Sequence, residues 1–176
     1  MIFDQTDLQG VFLVKLEPLM DERGFFARSF CGREFEAHGL EGRVTQCSIS
    51  FNLTKGTLRG MHFQRPPSAE VRLVRCTRGA VYDVVLDLRV GSPTFRRWVA
   101  ADLSAENRWA VYVPEGCAHG FQTLSDGAEV TYHISAAYEP AAGRGARWDD
   151  PAFGILWPPA KRTISERDLS YPDFTW

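Results

Sequence analysis

Val113-Pro114-Glu115-Gly116-Cys117-Ala118-His119-Gly120-Phe121 is the stretch on which the reading of this chain turns. A proline followed two residues later by a glycine marks a tight turn, and that turn delivers His119 into a run of small and aromatic residues. On either side, short segments rich in Val, Phe, Tyr, Leu and Thr recur at close spacing, divided by Gly, Pro, Asp and Asn. That pattern is the signature of an all-β sandwich or barrel. Strands are predicted over Val11 to Leu16, Phe25 to Phe30, Val44 to Ser50, Thr57 to Phe63, Val71 to Thr77, Ala80 to Leu88, Phe95 to Asp102, Trp109 to Val113, Gly120 to Leu124 and Val130 to Ala136. Arg78-Gly79 is expected to form a tight hairpin turn between two of them.

Helical signals are few. Arg33 to His38 reads as a short amphipathic helix ended by Gly39, and Ser104 is placed to cap a single turn through Asn107. The tail from Pro151 is expected to lie over the barrel as irregular structure with one helical turn at Ser165 to Asp168. Alternation puts Val81, Asp83, Val85 and Asp87 on one face of their strand and Tyr82, Val84, Leu86 and Leu88 on the other. Two carboxylates on one otherwise apolar stripe imply either an exposed face or a polar cavity inside the barrel. Tyr132, beside Val130 and Ile134, and Arg72, beside Val74 and Cys76, are likewise polar groups on apolar stripes.

The chain has 176 residues and 44% apolar residues, which fits one domain spanning 1–176 around one core. A net charge of -2 with no charge blocks gives no footprint for a nucleic acid polymer or an anionic membrane surface. No apolar run approaches the roughly 20 residues that span a bilayer, and Met1 to Gly10 lacks a leader pattern, so a cytoplasmic protein is expected. The four cysteines, Cys31, Cys47, Cys76 and Cys117, form no CxxC pair and read as reduced core thiols.

Pro114 to His119 matches the PxGxxH half of the cupin pattern, which points to a cupin-type double-stranded β-helix, a jelly-roll barrel with a few short helices. The other half of that pattern supplies an HxH pair and a glutamate. Here the corresponding place reads His62-Phe63-Gln64, with Glu70 further on, so the second histidine is missing. A metal would have to recruit Gln64 or Glu70 to complete its shell, and none is expected. A histidine not bound to metal is free to act as a base.

Leu58 to Gln64 (LRGMHFQ), Val113 to Phe121 (VPEGCAHGF), Arg147 to Pro151 (RWDDP) and Ser165 to Asp168 (SERD) resemble the dTDP-4-dehydrorhamnose 3,5-epimerase family, and Arg23 to Phe26 and Val81 to Arg89 fit as well. The resemblance runs nearly end to end. It implies a dimeric cupin barrel, without metal or organic cofactor, that inverts carbons flanking the C4 ketone of a nucleotide-linked 4-keto-6-deoxyhexose in deoxysugar biosynthesis. It further implies His62 as the base, Asp168 as the carboxylate that orients it, and Tyr132 as the acid on the far face. His119 is implied near the enolate oxygen, Arg59 on the diphosphate, and Gln46 and Tyr138 among the substrate contacts. The resemblance also implies that Arg23 and Phe26 belong to an arm reaching into the partner subunit. Strict alternation would turn Arg59 and His62 to opposite faces, unless Gly60 allows a bulge that brings both to one cavity.

Three positions depart from the family pattern: Arg28 and Gly143 replace glutamates, and Arg72 replaces a lysine. All three touch substrate recognition. The alternative readings are therefore a monoepimerase acting on a CDP-, UDP- or GDP-linked sugar, with a nucleotide preference other than strict thymidine, or a metal-dependent cupin.

Overall fold

The computed structural model describes residues 1–175. Two six-stranded sheets face each other. The first has the order β1 (Ile2–Gln5), β2 (Phe12–Lys15), β10 (Ala110–Val113), β7 (Arg72–Arg78), β12 (Ala128–Ile134) and β5 (Gln46–Asn52). The second runs β13 (Gly143–Gly145), β6 (Thr57–Gln64), β11 (Cys117–Thr123), β8 (Ala80–Asp87) and β9 (Trp98–Ser104), and β14 (Thr163–Ile164) joins β6 as the one parallel pairing. A separate hairpin pairs β3 (Leu19–Asp21) with β4 (Gly24–Phe26). The helices among the described residues are α1 (Gly32–Ala37) and α2 (Glu166–Leu169). This is a jelly-roll barrel of the cupin type.

The core explains the alternation. Val74, Cys76, Val111 and Val130 of the first sheet meet Val81, Val85, Leu103 and Phe121 of the second. The opposite face of β8, with Val84 and Leu86, is buried too, beneath Ala146, Phe153, Trp157 and Phe174 of the C-terminal segment. Asp83 and Asp87 therefore point into the barrel, and of the two readings of that strand the exposed face is not realised. The outer face of the first sheet is closed by Phe35 of α1, which packs with Val14, Leu73 and Tyr112. Burying a side chain of that size stabilises by about 1.5–3 kcal/mol, enough to hold a helix too short to persist alone.

Some expectations are corrected. Arg78-Gly79 makes no hairpin, because β7 and β8 belong to different sheets. The chain crosses the barrel edge there, and Gly79 fits because its φ is +71° and a Cβ would stand 2.2 Å from Ser125 Oγ. The strand expected over Phe25 to Phe30 stops at Phe26, since Phe30 leaves to pack on Phe35, ring centroids 5.0 Å apart. The strand expected from Phe95 begins at Trp98, because Ser92 and Thr94 first fold back onto Asp87. Ser104 does cap a single turn, its Oγ accepting from the Asn107 amide at 3.1 Å. Cys76 and Cys117 are core thiols, but Cys47 is exposed on β5 and Cys31, half-buried, precedes α1.

Candidate active site

The open end of the barrel holds a cavity of about 490 Å³ between the two sheets. One wall is β6 and β11, carrying Arg59, His62, His119 and Phe121. The facing wall is β5, β7 and β12, carrying Gln46, Ser48, Arg72 and Tyr132. Arg59 and His62 share the cavity because the ladder slips. His119 pairs with His62 and Phe121 with Arg59, so three steps on β6 match two on β11. The extra residue is accommodated at Gly60, where φ is +128° and a Cβ would lie 2.5 Å from Gly120 Cα. Two strands approach this closely only where both lack side chains.

His62 Nε2 lies 2.7 Å from Asp168 Oδ1. The other carboxylate oxygen accepts from the Gly60 amide at 3.1 Å, and the Asp168 amide donates to Ser165 Oγ at 3.2 Å, which caps α2. Burial pushes the Asp168 carboxyl up, but bonds from His62, Gly60 and Ser165 outweigh it and hold the group below its usual range. A carboxylate accepting from Nε2–H leaves the lone pair on Nδ1, the tautomer a base requires.

His119 makes a second such pair, with Nε2 2.8 Å from Asp83 Oδ2, and its ring meets Tyr132 edge to face at 6.1 Å. Asp83 Oδ1 is buried without a hydrogen-bond partner. Burial first, and the Asp83 charge second, push the Tyr132 hydroxyl well above its usual pKa, against the pull of Arg72 and Arg59. Tyr132 is thus protonated at neutral pH and able to donate. Arg72 bonds the Glu70 carboxylate and, at 3.1 Å, the His62 carbonyl. Arg59 Nε donates to Asn52 Oδ1 at 2.7 Å, and Asn52 is itself anchored to the Ala128 carbonyl.

Gln46 lines the cavity, and its Oε1 accepts from the amide of Tyr138, another lining residue. The structure does not bring Arg23, Phe26 or Arg28 to this site within one chain. Arg23 is exposed and paired with Asp21, Phe26 is 74% exposed, and Arg28 is paired with Glu34 at 3.0 Å. Gly143 sits on β13 opposite Gln64. Gln64, considered above as a metal ligand, is taken up by Ser68, Glu70, Ala137 and the Glu139 amide, and Glu70 is held by Arg72. Among the described residues no three His, Cys, Asp or Glu side chains converge.

Asp83, Glu70 and Asn52 are site residues that sequence reasoning did not assign. Asp83 had a signal, a carboxylate on an apolar inward stripe. Glu70 had been raised only as a metal ligand, whereas it holds Arg72, and Asn52 had no signal, since it acts by holding Arg59.

Residues 5–175 match the family model described as dTDP-4-dehydrorhamnose 3,5-epimerase. The chain is 42% identical over 173 residues to the dTDP-4-dehydrorhamnose 3,5-epimerase of Sinorhizobium fredii, covering 98% of this chain and 89% of that protein. Its fold superposes with a TM-score of 0.94 and 35% identity on the dTDP-4-dehydrorhamnose 3,5-epimerase of Bacillus anthracis with TDP and pyrophosphate bound, covering 98% and 99% of the two chains. It also superposes, at 0.88 and 34% identity over 96% and 85%, on the 3'-monoepimerase ChmJ of Streptomyces bikiniensis in complex with dTDP-quinovose.

Proposed function

This chain belongs to the dTDP-4-dehydrorhamnose 3,5-epimerase family, and from that premise we propose that it inverts both C3 and C5 of a dTDP-linked 4-keto-6-deoxyhexose in deoxysugar synthesis. It is an isomerase. The CDP-, UDP- and GDP-linked alternatives and the metal-dependent one draw no support from its relatives.

One observation carries the reading: His62, locked to Asp168, and protonated Tyr132 stand on opposite walls of one cavity. In the proposed reaction His62 Nδ1 removes the proton alpha to the C4 ketone. Its electron pair moves into an enolate whose oxygen is met by Arg72 and His119, and Tyr132 returns a proton from the other face. Inversion follows because removal and return occur on opposite sides. Arg59, with Asn52 fixing its fork, binds the diphosphate. The protein acts in the cytoplasm as a homodimer, and the arm bearing Arg23, Phe26 and Arg28 serves the cavity of a second copy. Four large apolar side chains on that hairpin, Leu19, Met20, Phe25 and Phe26, are exposed in the single chain.

Incubation with the 4-keto substrate in heavy water should place deuterium at C3 and C5. Tyr132→Phe should slow inversion more than exchange, because the base still forms the enolate. Deuterium at one carbon only would make the protein a monoepimerase, and wild-type exchange in His62→Ala would remove His62 from the role of base.

A further inference from the structure

Gly145 on β13 is the cross-strand partner of His62 on β6. Residues directly opposite in an antiparallel pair point to the same face, with Cβ atoms about 4.5–5.5 Å apart. A side chain at 145 would therefore stand next to the imidazole. That space is filled by Tyr171 instead: a Cβ built on Gly145 would lie 2.1 Å from Tyr171 Cζ and 2.2 Å from Cε2. The phenol ring lies on the Gly145 backbone and meets His62 edge to face, centroids 6.2 Å apart and planes at 70°. Its hydroxyl accepts from Arg167 Nε at 3.1 Å, so the ring is tied to the turn of α2 that also carries Asp168.

We propose that Tyr171 is a positioning residue for His62, with the bare backbone of Gly145 as its seat. The inference rests on His62 being the base, as proposed above. A ring held through one nitrogen can still pivot about that bond. Asp168 fixes Nε2 and the tautomer, while the plane of the ring is left to its neighbours, and on the β13 side the neighbour is Tyr171. Proton abstraction requires the Nδ1 lone pair to lie along the C–H bond being broken, so a small rotation of the ring lowers the rate without changing how substrate is held. Orienting carboxylate and orienting ring arrive on one short C-terminal segment, three residues apart. Docking of that segment thus completes both constraints together. Tyr171 touches no reacting atom in this assignment and acts only through His62.

The test measures kcat, KM and deuterium wash-in for Tyr171→Ala, Tyr171→Phe, Gly145→Ala and the Gly145→Ala/Tyr171→Ala pair, with His62→Ala alongside. Tyr171→Ala should lower kcat and wash-in by about tenfold or more. KM should stay within about threefold, since ground-state binding is untouched. Tyr171→Phe, which keeps the ring, should recover most of the rate. Gly145→Ala should lower kcat by displacing the ring, and the double variant should be no slower than Tyr171→Ala, because the methyl group then has room. Nitrogen NMR of His62 should show the same single tautomer in the wild type and in Tyr171→Ala, because Asp168 still holds Nε2. If Tyr171→Ala does not fold, Tyr171→Leu, which fills the volume without a flat ring, takes its place. Wild-type kcat and wash-in in Tyr171→Ala would overturn the proposal, as would a loss shared in full by Tyr171→Phe. Exchange surviving in His62→Ala would instead defeat the assignment of the base, so the two failures are distinct.

Discussion

His62 and His119 are cross-strand partners on β6 and β11, and each bonds an aspartate through Nε2, at 2.7 Å and 2.8 Å. Their surroundings differ. The side chains of His62 and Asp168 are 35% and 5% exposed, whereas those of His119 and Asp83 are 3% and 1% exposed. The first aspartate comes from a helical turn near the C-terminus, the second from the next strand of the same sheet. Equal hydrogen bonds thus serve unequal ends. The open pair leaves a half-exposed imidazole in the cavity wall, while the sealed pair fixes a ring in that wall and keeps a negative charge beside Tyr132. Removing part of the first should cost mainly rate, and removing part of the second should cost stability along with the enolate contact proposed for His119.

The largest expected effect is the rate loss in His62→Ala. Removing a general base lowers kcat by about 10²–10⁴-fold. Its stability should fall by only about 1 kcal/mol, because buried Asp168 loses one donor but keeps the Gly60 amide. A variant that loses activity only by unfolding would erase the distinction between the pairs. Asp83→Ala comes next, since it leaves His119 buried without its partner. A buried donor left unpaired costs about 1–3 kcal/mol, readable as a lower denaturation midpoint. Asp83→Asn, whose amide oxygen can still accept, should lose clearly less. If both variants melt with the wild type, the sealed pair is not structural.

Asp87 sharpens the contrast, because it shares the inward face of β8 with Asp83 but has its partners complete. Burial pushes its carboxyl up, yet bonds from Arg89, Ser92 and Thr94 outweigh this and hold it at about 2, against an ordinary 3.8. A value lowered by folding means stabilisation present in full above the unfolded value and lost as pH falls through the folded one. That contribution is about 2 kcal/mol, lost between about pH 4 and pH 2. Asp87→Asn should flatten the acid limb of a stability curve taken from pH 6 to pH 2. An unchanged limb would assign acid sensitivity elsewhere. The smallest effect belongs to Asn52→Ala, which frees the Arg59 fork. One lost hydrogen bond of about 1 kcal/mol corresponds to roughly fivefold weaker binding of dTDP, with kcat unchanged. Calorimetric titration with dTDP reads it directly.

Much of this molecule is legible in the residues. Alternation in Ala80 to Leu88 and in Val71 to Thr77 marks strands because burial on one face demands period two, and the Pro114–Gly116 turn places His119 at the barrel mouth. Asp168 was recognisable only through a motif, and its meeting with His62 across 106 positions is a tertiary fact. β13 and β14 escaped notice because strands of three and two residues carry no periodicity. The Arg78-Gly79 error has a related cause. A hairpin and a crossing between sheets can use the same turn residues, and local sequence does not say whether the flanking strands pair.

The sequence alone determined the all-β class, the family, the polar groups on apolar stripes and the side chains able to move protons, because these depend on residue type and on spacing within a few positions. Tertiary structure decided which aspartate holds which histidine, that a bulge at Gly60 turns Arg59 and His62 to one side, and that Tyr171 fills the space Gly145 leaves open. The reason is physical. Alternation fixes which face a side chain occupies, but partners across a ladder or from a distant turn are selected by register and packing, which are settled only when the whole barrel closes.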